Sequence, residues 1–224
     1  HTNLEELSLY ETGLSSIDIS NNLALKVLNL GGNNLGNIDV AKHVLLEELN
    51  LYETNLTSID VSKNTSLTEL SLYSTSDSNT PNDLKELNLA NNSKLIALSL
   101  GGNKNLSNLD LSANTELESL KLYSMGLTEI NLSRHEKLKE LNLNFNDLSD
   151  LDLSLQTSLL ELLLTNNQLS EIDLSSNVAL EKLYLEGNNL TEIDLSNNTK
   201  LKAENIKLDD GVTCNGDVCP NFGE

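Results

Sequence analysis

Leu180–Lys200, LEKLYLEGNNLTEIDLSNNTK, decides how the rest of the chain is read. Six of its positions, Leu180, Leu183, Leu185, Leu190, Ile193 and Leu195, recur at the same spacing along the sequence. Aligned on the first of them, turns begin at Leu4, Leu25, Leu46, Leu67, Leu95, Leu117, Leu138, Leu159 and Leu180, and Leu201 opens a degenerate tenth. Most steps are 21 residues. The turn 67–94 is seven residues longer, with an insert around SDSNTPND, and the turn from Leu95 carries one extra residue. Fixed-period self-similarity marks a repeat array rather than a single globular core.

Within each turn LxxLxL alternates apolar and polar residues with period two, as a strand with one buried face does. LxxIDLS does so again, more briefly. The spacing predicts two short extended segments per turn, joined at Asn- and Gly-bearing corners, with little or no helix. Equivalent strands of successive turns would pair in parallel sheets, and the whole would coil as a right-handed solenoid with one sheet on the concave face. Six aliphatics per turn, at about 1.5 kcal/mol each before chain entropy is subtracted, suffice only when neighbouring turns cover both faces. Residues 1–200 are thus expected to form the array, and 201–224 a C-terminal cap.

The chain has 224 residues, of which 34 are acidic and 14 basic, for a net charge of −20. Such a charge repels phosphate backbones and anionic lipid surfaces, so neither nucleic acid nor membrane insertion is expected. No apolar run approaches the ~20 residues that cross a bilayer. Cys214 and Cys219 flank the tight-turn pair Asn215-Gly216, so a small disulfide-closed turn is expected in the cap; a redox-active pair is the rival, with nothing nearby to lower a thiol pKa.

The consensus LxxLxLxxNxLxxIDLSxNxx resembles the bacterial leucine-rich repeat. Its 21-residue period looks like the short class found in internalin J-type surface proteins and Bacteroidetes secreted proteins. The resemblance covers Leu4 to about Leu201. It implies a leucine-rich repeat solenoid and a non-enzymatic extracellular or cell-surface module that binds a protein or a glycan through its concave face. The sequence lacks the helical N-terminal cap and the wall anchor of the internalins, so recognition of a host receptor does not carry over.

Three columns carry the chemistry. At the ninth position Asn33, Asn103, Asn146, Asn167 and Asn188 are expected to turn inward and bond the backbone of adjacent turns. Thr12, Thr54, Thr75 and Met125 replace asparagine there, and those four turns place tyrosine two residues earlier, at Tyr10, Tyr52, Tyr73 and Tyr123. With Phe145 and Tyr184 on neighbouring columns, these tyrosines form the candidate binding stripe, because tyrosine offers rigid apolar area with a polar tip. Gly31-Gly32 and Gly101-Gly102 would leave gaps between the rings. The competing reading is that tyrosine shields a corner that lacks its asparagine.

In the second strand Asp18, Asp39, Asp60, Asp110, Asp152, Asp173 and Asp194 form a column interrupted by Asn88 and Asn131. Stacked carboxylates repel unless held by local hydrogen bonds, which the following serines could donate, or by a cation such as calcium. Identical environments along the column argue against paired-carboxylate catalysis. Asp77, Asn79 and Asp83 of the insert join the candidate ligand-binding set, since insertions in solenoids map to loops that often border the binding face. Leu160 and Leu163 occupy normally polar positions and form a small apolar patch. His43 and His135 fall on the column otherwise filled by Asn22, Asn64, Asn92, Asn114, Gln156, Asn177 and Asn198. His1 fits it too, which suggests an array that continues upstream. An unclosed first turn also admits end-to-end self-association, in which the chain serves as a structural spacer or a self-assembling surface-layer subunit.

Overall fold

In a computed structural model, residues 2–106 and 108–220 are described. His1 and the last four residues of the C-terminal segment lie outside them. The chain divides into two compact units, 1–117 and 118–224.

The first unit carries β1 (Glu6–Ser8), β2 (Val27–Asn29), β3 (Glu48–Asn50), β4 (Glu69–Ser71) and β5 (Ala97–Ser99). They pair in sequence order as a parallel ladder in which Leu7, Leu28, Leu49, Leu70 and Leu98 face one another. The second unit repeats this with β6 (Ser119–Lys121), β7 (Glu140–Asn142), β8 (Glu161–Leu163) and β9 (Lys182–Tyr184). Each strand is three residues long because only the LxL core of a turn is extended and aligned. The middle residue points inward and its neighbours outward. Leu25, Leu46, Leu67, Leu95, Leu117, Leu138, Leu159 and Leu180 are all completely buried. The result is a parallel-strand leucine-rich repeat solenoid with almost no helix.

The second segments differ from the expected second sheet. Among the described residues only β10 (Glu192–Asp194) pairs there, with β12 (Thr213–Asn215). Elsewhere, grooves separate consecutive segments, one lined by Ile17 and Asp18 against Ile38 and Asp39, another by Ile130 and Asn131 against Leu151 and Asp152. Ile17, Ile38, Ile59, Leu109, Ile130 and Ile172 are consequently only half-buried. The core of a typical turn is nearer five columns than six.

A buried donor column takes the place of the second ladder. Asn64 Nδ2 donates to Val40 O at 3.0 Å and His43 O at 2.8 Å, Asn92 to Val61 O and Asn64 O, and Asn114 to Leu89 O and Asn92 O. Gln156, Asn177 and Asn198 do the same in the second unit. His43 fits because only a donor is needed: its Nε2 lies 3.1 Å from Ile19 O. The side-chain oxygens of Asn64, Asn92, Asn114, Asn177 and Asn198 take no part.

The end of the chain closes differently from the repeat. Ile206, and not Glu204, occupies the second leucine position, opposite Leu183, in β11 (Ile206–Lys207). A single 3-10 turn, Ala203–Asn205, absorbs the two surplus residues. Cys214 and Cys219 are joined as a disulfide.

Candidate functional site

Position eight of the turn governs the rim of the sheet. Its backbone is left-handed at Glu11, Gly32, Glu53, Gly102, Ser124, Phe145, Asn166 and Gly187, with φ between 50° and 83°. Glycine adopts this freely, whereas a residue with a Cβ pays about 1 kcal/mol. Glu11 and Glu53, in the repeated tripeptide Tyr-Glu-Thr, and the bulky Phe145 are held there against that cost. Strain of this kind gathers at sites that use it.

Tyr52 and Tyr73 stack with ring centroids 5.1 Å apart and planes 6° from parallel. Gly31-Gly32 is not a gap. A Cβ on Gly31 would clash with Cε1 and Cδ1 of the Tyr52 ring, and one on Gly32 would lie 2.6 Å from Glu11 Cγ. The two glycines form a saddle over which the Tyr52 ring and the Glu11 stem meet, and the Tyr52 O–H donates to Glu11 Oε1 at 3.1 Å across two turns. Burial, then this bond to a carboxylate, pushes the Tyr52 phenol up to about 12. Burial, then Glu53 and Glu11, also raises Tyr73. Glu53 Oε1 accepts both Thr75 N–H, at 3.1 Å, and Thr75 O–H, at 2.6 Å.

The insert is placed differently from its sequence reading. Asn82, not Thr75, is the corner residue of its turn. Its Nδ2 donates to Leu51 O at 2.7 Å and Leu72 O at 3.0 Å, and its Oδ1 accepts the N–H groups of Thr54 and Leu56. The seven additional residues are therefore 75–81, bulging before the corner. Tyr73 thus sits in a turn whose asparagine is present, and the pairing of tyrosine with a missing asparagine breaks. The other corners follow expectation, as where Asn33 Nδ2 donates to Leu9 O and Leu30 O at 2.8 Å. Asn103, Asn146, Asn167 and Asn188 repeat that pattern.

The remaining candidates are dispersed. Tyr10 is exposed at the rim of the first unit. Asp77 and Asn79 are exposed on the insert, Asp77 accepting from Ser76 O–H at 3.1 Å. Asp83 accepts from Asn105 Nδ2 at 2.8 Å. In the second unit Phe145 is exposed, and Lys182 Nζ lies 4.9 Å above the Tyr184 ring. Tyr123 is half-buried, Leu160 exposed and Leu163 half-buried.

The aspartate column forms local turns. Asp18, Asp60, Asp152, Asp173 and Asp194 each accept the backbone N–H of the serine two residues on, at 2.9 Å. Serine hydroxyl and N–H together hold these carboxyls below the usual range. Asn88 and Asn131 make the same bond to Ala90 and Ser133, which is why the column tolerates asparagine. No group of three or more histidine, cysteine or acidic side chains is placed to hold a metal among the described residues. No helix among them is long and apolar enough to cross a membrane.

Sequence reasoning singled out the tyrosines, of which Tyr52 and Tyr73 stack, but not Glu11, Glu53 or the seating role of Gly31. The doubled Tyr-Glu-Thr, at 10–12 and 52–54, was the available signal.

No protein-family model matches the chain, and no curated protein does. Solved structures do. The functional domain of the internalin InlJ from Listeria monocytogenes is 28% identical with a TM-score of 0.75, over 94% of this chain and 49% of that one. A leucine-rich repeat protein of Leptospira interrogans is 25% identical with a TM-score of 0.80, over 98% and 57%. The ectodomain of the Arabidopsis thaliana receptor kinase GASSHO1/SCHENGEN3, solved in complex with Casparian strip integrity factor 2, is 26% identical with a TM-score of 0.71, over 91% and 25%. The chain spans about half the length of the first two of these. Its 21-residue period, parallel sheet and corner asparagines, together with these likenesses, make it a leucine-rich repeat solenoid similar to bacterial proteins of that kind, the internalin InlJ among them.

Proposed function

We propose that the chain is a non-enzymatic binding module, working outside the cell as an adhesin or receptor-like segment, that takes its ligand on the sheet face of residues 1–117. The observation that carries this is the Tyr52–Tyr73 stack, braced by Glu11 in left-handed backbone. Stacked, half-exposed tyrosines provide rigid contact area at small entropic cost. Because Asn82 fills the corner beside Tyr73, corner shielding does not account for that ring. The plant receptor shows the same type of scaffold holding a partner. The Cys214–Cys219 disulfide supports an oxidising compartment. His43 and His135 lie buried in the donor column, which leaves them no access to a substrate and supports a non-enzymatic reading.

A protein and glycan array probed with the native chain and with Tyr73→Ala tests this. Ligands should be lost in the variant while its unfolding midpoint stays within a few degrees. Ligands retained at full strength would remove the site from this face, and a lower midpoint with retained ligands would restore the shielding account.

A further inference from the structure

We infer that the partner presents an extended, arginine-bearing basic segment to the sheet face of the 1–117 unit, with the Tyr52–Tyr73 stack as its aromatic platform. This rests on the reading of that face as the binding face. Along its outward rows stand Glu6, Glu48 and Glu69, then Glu5, Lys26 and Glu47. Glu48 and Glu69 are ladder partners on β3 and β4. Neighbouring strands lie ~4.8 Å apart, and like charges directly opposite one another destabilise a sheet. Burial lifts the Glu48 carboxyl, and Glu69, Glu6 and Glu47 lift it further. Lys26 is committed to Glu5 at 2.7 Å.

This excess does not simply follow from an acidic composition, because in the 118–224 unit the opposed ladder partners Glu140 and Glu161 each meet a lysine, Lys121 and Lys182, and Lys139 meets Glu118. In the first unit the opposed Glu48 and Glu69 have Glu6 and Glu47 beside them, and Lys26 pairs with Glu5. Between its acidic row and the tyrosine rim, Asn29, Asn50, Ser71 and Ser99 are small and half-buried, a floor that an extended chain can approach closely. A guanidinium matches both sides of that floor, since it forks onto carboxylates and stacks on aromatic faces, whereas an ammonium acts as a point charge.

Fluorescence anisotropy of a labelled peptide alternating arginine and serine, titrated with the full chain at physiological salt, tests the inference. Glu48→Gln with Glu69→Gln should weaken binding about tenfold, and Tyr73→Ala should weaken the arginine peptide more than its lysine analogue. Asp39→Asn with Asp60→Asn removes the same charge from the other side of the unit and should change affinity by less than about twofold. Relieving a repulsive pair does not lower the melting temperature, so weaker binding by the glutamate variant cannot be blamed on unfolding. Equal weakening by both pairs, or none by the glutamate pair, overturns the inference. If the array yields a neutral ligand lost in Tyr73→Ala while the arginine peptide does not bind, the basic partner is wrong and the binding face stands. If no ligand of either kind depends on Tyr73, both fall.

Discussion

At the scale of single residues, the two asparagine columns use different halves of the same side chain. At the corner, Asn33 donates through Nδ2 and accepts through Oδ1 from Leu14 N–H at 2.8 Å. In the second column Asn177 only donates, to Leu153 O at 3.0 Å and Gln156 O at 2.9 Å. Asn177→Asp would face a carboxylate against two carbonyls in a dry column and should cost about 3 kcal/mol or more in urea unfolding. Asn177→His, which keeps a donor as His43 does, should cost about 1 kcal/mol. Asn33, which uses both halves of its amide, should tolerate neither change. The saddle makes a second point at this scale. Gly31→Ala should eject the Tyr52 ring and break its bond to Glu11. In an alkaline spectrophotometric titration Tyr52 should ionise late, near 12, with Tyr73 delayed as well, and Gly31→Ala or Glu11→Gln should return Tyr52 toward 10. Because the folded phenol is raised, its contribution is complete below pH 10 and disappears as pH climbs toward 12.

At the scale of elements, the aspartate turns and the insert show what a repeat fixes and what it leaves free. Five aspartates are lowered from 3.8 by bonds from serine, so their contribution is complete above that value and is lost as pH falls below it. Asp60→Asn combined with Asp152→Asn should leave the melting temperature at pH 7 nearly unchanged and flatten the acid limb of stability against pH. An acid limb as steep as that of the native chain would assign acid sensitivity elsewhere. For the insert, removal of 75–81 joins Ser74 to Asn82 and restores a 21-residue turn. The shortened chain should fold with a stability within about 1 kcal/mol of the native, since closing a slightly longer surface loop costs little. These elements also mark how far the sequence was legible. Leucine spacing announced the strands because burial is periodic, and the corner asparagines followed from the same period. Asn82 was hidden because an insertion shifts the count without changing the geometry. The missing second ladder was hidden because IDL looks extended whether or not a neighbour lies within bonding reach. The Tyr52–Glu11 clasp joins residues 41 apart, a relation between turns that no single unit spells out.

At the scale of the whole molecule, stability in a repeat array is close to a sum of turn and neighbour contributions, so its ends decide where unfolding starts. Leu4, Leu7 and Leu9 of the first turn are half-buried, whereas their counterparts Leu25, Leu28 and Leu30 are fully covered. At the other end, β12 lies against β10, with Thr213 N–H donating to Thr191 O at 2.9 Å and Leu195 N–H to Asn215 O at 2.7 Å. Asp209 accepts the N–H of Gly187 at 2.8 Å, closing the corner of the last full turn. The disulfide spans five residues, so the chain entropy it removes is worth about 2 kcal/mol. Reduction, or Cys214→Ser with Cys219→Ser, should therefore free β12 and expose the β10 segment. Hydrogen exchange should then show protection lost first at Ile193 and Leu195, while Leu49 and Leu70 in the other unit keep theirs. Simultaneous loss at all four would mean that the chain unfolds as one cooperative block and that the terminal strand guards the entire array.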